Sequence, residues 1–134
     1  MTYAQVVHLL EGYAKQLGMS FWHGRRSESG INYDEPFPQL HLFLMSDVVG
    51  ATVIRRSIGL GFFGKDEEAG TSDQMLTIQD DMDQLSQQFI SMLEGTADVQ
   101  IVGDVSRMTT VRRGAHVGTG YYVDFTLNSI RTIC

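Results

Sequence analysis

Cysteine is nearly missing from this chain: Cys134, the last residue, is the only one, so no disulfide can form within it. A domain that must fold without such bridges fits a reducing compartment. Long apolar runs are missing too. No stretch reaches the about 18 consecutive apolar residues of a membrane-spanning helix, and the start lacks the basic segment and apolar core of a secretion signal. Together these absences predict a soluble, intracellular protein. Basic residues are absent from 66–98, a stretch that holds nine acids. With a net charge of −6, the chain lacks the clustered positive charge that general phosphate-backbone binding needs. Repeats and low-complexity tracts are also absent.

What is present suffices for a core. A chain of 134 residues has the size of one domain and can bury roughly two-thirds of the surface its unfolded form exposes. The clearest element is 71–95. Thr71 and Gln74 have the spacing of a capping box, and Asp73 falls in the first turn, where a carboxylate complements the helix dipole. Met75, Ile78, Met82, Leu85, Phe89 and Met92 recur at steps of three and four, with Leu76, Ile90 and Leu93 widening the seam. Gly95 follows the last periodic residue. This spacing predicts a helix of about six turns. Thr2 and Gln5 give the same start signal to a first helix, whose face is Tyr3, Val6, Val7, Leu10, Tyr13, Ala14 and Leu17, ending at Gly18.

Between the helices, 19–23 reads as a short strand, followed by the long polar loop GRRSESGINYDEPFP. The segment 39–45 is apolar in both phases, as in a central strand. Within 51–63, Thr52, Ile54, Ile58, Leu60 and Phe62 form a buried phase against a polar one, with DVVGA as the connection before it. After the long helix, 98–102, 108–112 and 120–128 supply further strands. The last should turn Tyr121, Val123, Phe125 and Leu127 toward the helices. The order predicts an α+β domain with a mainly antiparallel sheet of about four to six strands and both helices on one face.

Motifs for chemistry are weak. The run from Gly59 to Lys65 has the glycine spacing of a phosphate-binding loop, yet Asp66 replaces the hydroxyl residue that would hold magnesium. A strand with small residues accounts for it. His8, His23, His41 and His116 lack metal-ligand spacing, and His41 reads as a satisfied buried histidine. Asp80, Asp81 and Asp83 lack the glycine and closing glutamate of a calcium loop and fall on the wet face of the helix. The run 112–120 reads as a glycine-rich hairpin. No enzymatic role, cofactor or metal is expected from this pattern.

Three phrases, FWHGRRSESGINYDEPFPQLHLF (21–43), IGLGFFGKDE (58–67) and DQMLTIQDDMDQLSQQFISML (73–93), resemble small tail-completion proteins of tailed bacteriophages and prophages, in particular the tail terminator family. The resemblance covers most of the chain and rests on patterns of strand, loop and helix. It implies a virion protein of the tail or neck, assembled in the host cytoplasm. Such subunits form a ring, usually a hexamer, that ends tube polymerisation and meets the head connector, while DNA passes through without being read. A neighbouring neck or head-closure subunit, or a ligand-binding or regulatory α+β module outside this class, would share the same composition. For a ring subunit, candidate contacts are Arg25, Arg26 and Asp34 in the first long loop and Glu67 and Glu68 in the second. On the elements, the arginines Arg55, Arg56, Arg112 and Arg113 would face acids such as Asp80 and Asp81 of a neighbour's long helix.

Overall fold

The computed structural model describes residues 1–24, 36–66, 71–112 and 118–131. Along the chain run α1 (Tyr3–Gln16), β1 (Ser20–His23), β2 (Gln39–Val49), β3 (Val53–Gly64), α2 (Ser72–Glu94), β4 (Val99–Arg112) and β5 (Gly118–Ile130). Among the described residues the strands form one five-stranded sheet in the order β1-β2-β3-β5-β4. All neighbours are antiparallel except β1 and β2. The fold is α+β, as the pattern of elements predicts. The parallel β1–β2 pair also gives the long polar loop a topological reason: parallel neighbours need a crossover of about a dozen residues or more, where a hairpin would not do.

Both helices start as their capping boxes predict. Thr2 accepts from the Gln5 backbone and Gln5 returns the bond to Thr2. Thr71 and Gln74 repeat the exchange. Each box satisfies N–H groups that the first turn leaves without helical partners. Gly95 caps α2 at φ −86, so its end does not use the left-handed conformation that favours glycine there.

The core lies between the helices and one sheet face. Val6, Val7, Leu10 and Ala14 of α1 and Met82, Phe89, Ile90 and Leu93 of α2 pack on Leu40, Leu42, Ile58, Leu60, Phe62, Val123, Phe125 and Leu127. Ring edges lock the layers: Phe89 meets Phe62 at 5.7 Å and Tyr13 at 6.2 Å, both T-shaped. The predicted phase of β5 is the observed one. The seam of α2 needs one correction. Leu76 is 63% exposed, because a helix lying on a sheet buries a stripe narrower than its apolar residues span.

Strand boundaries also shift. Asp47, Val48 and Val49 belong to β2, paired with Arg56, Arg55 and Ile54, after a register shift between Leu44 and Ser46. The connection is therefore shorter than DVVGA. The segments 98–102 and 108–112 are one strand, interrupted by a bulge between Val102 and Ser106. Gly103 sits there at φ +74, a left-handed conformation that glycine adopts without steric cost.

The sheet face away from the helices is not uniformly polar. Gln39, His41, Phe43 and Phe63 are all buried. The His41 ring lies 5.2 Å from Trp22 and 5.0 Å from Phe63, and Tyr122 joins at 5.7 Å from Phe63. Toward the Val53 end this face opens to solvent, with exposed Val48 and Ile130 beside Arg55 where alternation predicts polar groups alone.

Candidate association surfaces

The two adjacent arginines of β3 have opposite surroundings. Successive strand residues point to opposite faces, so Arg56 enters the helix side while Arg55 stands on the other. Arg56 is only 4% exposed. Its Nη1 donates to Ser129 Oγ at 2.9 Å and its Nη2 to the Met1 carbonyl at 3.1 Å. Its guanidinium is thus committed within the chain, which corrects the expectation that it faces a neighbour. Arg55 is exposed, between Val48 and Asn128 in the cross-strand row.

On α2, Asp73, Asp80 and Asp81 are exposed, and Asp80 accepts a 3.4 Å bond from Gln84 Nε2. Asp83 differs from them. It forms an ion pair with Arg107 of β4 and accepts from Gln87 Nε2 at 2.9 Å. Arg107 also donates to Ser86 Oγ at 3.1 Å and lies 5.2 Å from the centre of the Tyr121 ring. The Arg107 hydrogen bond, then that of Gln87, hold the Asp83 carboxyl below its ordinary value of 3.8. Arg107 thereby ties the edge strand β4 to the helix layer. Sequence reading missed it, because an isolated arginine in a strand-like run gives no signal of its partner across the fold.

Of the other candidate contacts, Arg25, Arg26, Asp34, Glu67, Glu68 and Arg113 lie outside the described residues, as does the side chain of Arg112. The backbone of Arg112 pairs with Gly118. The structure thus leaves Arg55 on one face of the sheet and Asp80 and Asp81 on the helix layer behind the other.

The remaining motifs have structural roles. The glycine run that resembles a phosphate loop is the end of β3, and Gly64 marks where α2 presses on it: an added Cβ would meet Ile78 Cγ2 at 2.6 Å. Asp66 is buried, accepting from Thr119 Oγ1 at 2.7 Å. His41 is buried and its Nε2 lies 3.1 Å from Gln39 Oε1, the satisfied histidine that its apolar strand suggests. Among the described residues no three potential metal ligands come together, and no helix is long and apolar enough to cross a membrane.

One surface was not foreseen. A groove of about 200 Å³ lies where β3 begins, β5 ends and β4 begins, lined by Val53, Asp98, Val99, Gln100, Asn128, Ser129 and Ile130. Ile130 is 54% exposed and nearby Val48 65%. Alternation in a strand predicts faces, not which strand ends stay uncovered, so the sequence carried no signal for it. No protein-family profile matches the chain, and no curated protein matches it.

Proposed function

We propose that this chain is a non-enzymatic ring subunit of a phage tail, of the tail terminator type, which ends tube growth and joins the head connector. The observation that carries the reading is the placement of charge on opposite layers. The acids of α2 stand outside the helix layer, and Arg55 stands on the far face of the sheet. Unlike surfaces on opposite sides of one subunit favour head-to-tail contacts, which close into rings when the rotation allows. The resemblance of 21–43, 58–67 and 73–93 to tail-completion proteins supports the same reading. A net charge of −6 suits a ring through which duplex DNA slides, since positive walls would hold it through released counterions. Hexameric closure, tube and connector as partners, and a place in the virion neck belong to this proposal. So does the related reading as a head-closure subunit, which the same charge placement serves equally.

Negative-stain microscopy of the purified chain tests it. Rings with a central channel are the expected images. A field of particles no larger than a single copy, at concentrations where tails assemble, would refute the reading.

A further inference from the structure

We propose that copies of this chain dock head to tail through Leu76, which enters the groove lined by Val53, Val99 and Ile130 on the next copy. Asp73 and Asp80 then face Arg55 and Arg131 of that copy. This inference rests on the ring reading above and gives it a surface.

Asp73, Leu76 and Asp80 follow one another at i, i+3 and i+7, so they share one stripe of α2, and all three are exposed. Leu76 is a bare apolar knob at 63% exposure between two carboxylates. A single exposed leucine is ordinary on a soluble protein; its significance comes from a complementary receptor on the same chain. The groove supplies apolar walls, with Ile130 itself 54% exposed. Around it stand two cations. Arg55 is opposite Asn128 across β3 and β5. Arg131 follows Ile130 and donates from Nη1 to the Gly50 carbonyl at 3.3 Å, which keeps its charge at the hairpin beside the groove. Asp98 also lines the groove, so the patch is cationic only through these two arginines. Asn128 Oδ1 in the groove wall is buried with no hydrogen-bond partner among the described residues.

Knob and groove cannot meet within one copy. The groove lies at the Val53 end of β3, whereas Gly64 at the other end lies beneath Ile78 in the first half of α2. The strand between has 12 residues, roughly 36 Å at the rise of a strand. Arg55, Asn128 and Ile130 also sit in the strand phase that faces away from the helices, while Val99 closes the groove from the helix side. A second copy is therefore the occupant that matches in charge and in its apolar knob. The resulting contact is heterologous, so it propagates around a ring. The apolar knob would supply affinity, and the exposed ion pairs register.

Sedimentation velocity on wild type, Leu76→Ser, Arg55→Glu and the double variant Arg55→Glu/Asp80→Arg tests the contact. Circular dichroism establishes that each variant is folded. Each single variant is expected to raise the concentration needed for assembly by about tenfold or more, and the double variant to recover part of the loss of Arg55→Glu. Rings that persist unchanged in both single variants would overturn this contact and leave the ring reading standing. A wild type that stays monomeric throughout would overturn both.

Discussion

Arg55 and Arg56 are neighbours in the chain and differ in what their loss should do. Arg56→Ala removes donors from Ser129 Oγ and the Met1 carbonyl and leaves a gap in a buried site. It should lower stability by about 2–3 kcal/mol in chemical denaturation. Arg55→Ala, on an exposed side chain, should leave the stability of the isolated subunit within about 0.5 kcal/mol. Both arginines were legible as a pair in the sequence. Which of them is buried depends on the phase of β3, and the alternation of Ile54, Ile58, Leu60 and Phe62 with their neighbours already puts Arg56 in the buried phase. Residue type argues the other way, because an arginine is almost never fully buried unless paired.

Asp83 gives a pH prediction at the same scale. Its carboxyl is held below 3.8, first by the Arg107 hydrogen bond. A carboxylate whose folded pKa is lowered contributes stability that is complete above its unfolded pKa, about 4. That stability is lost as pH falls through the lowered value. Thermal unfolding of Arg107→Ala should therefore show a smaller fall in stability below pH 4 than wild type. At pH 7 the variant should be weaker by about 1–2 kcal/mol, since the hydrogen bond to Ser86 and the contact with the Tyr121 ring are lost as well.

At the scale of elements, α2 was the most legible part of the chain. Its capping box, its first-turn acid and most of its seam follow from local spacing alone, and Thr71→Ala should cost about 1 kcal/mol in denaturant unfolding. Leu76 departs from the seam its spacing predicts, because burial on a helix is decided by what it lies on, and the same cause buries the polar Ser86. Ser86 is fully buried, with its hydroxyl donating to the Asp83 carbonyl at 2.8 Å, while Leu76 is bare. The contact of α2 with β3 is close enough to be tested by one methyl group. Gly64→Ala would bring a Cβ to 2.6 Å of Ile78 Cγ2, a clash with a stiff β-branched side chain. A loss of about 1–3 kcal/mol is expected, measurable as a lower midpoint with an unchanged denaturant slope. The strands were less legible. The bulge around Gly103 made one strand read as two, since three residues out of phase break the alternation on which a strand is recognised.

For the whole molecule, the α+β class followed from the order of elements, but the strand order β1-β2-β3-β5-β4 did not. It depends on pairings between distant segments that no local pattern encodes. The same distance hides the candidate surface. The acids of α2 and Arg55 were each visible in the sequence, while their separation onto opposite layers, and the groove beside Ile130, exist only once the sheet has formed. Native mass spectrometry of the wild-type chain over a hundredfold range of concentration tests the self-association account most directly. It should show one closed species at a fixed multiple of the 15.0 kDa subunit, weakened by salt as its ion pairs are screened. A monomer at every concentration, or an open ladder of sizes without a preferred end, would contradict it.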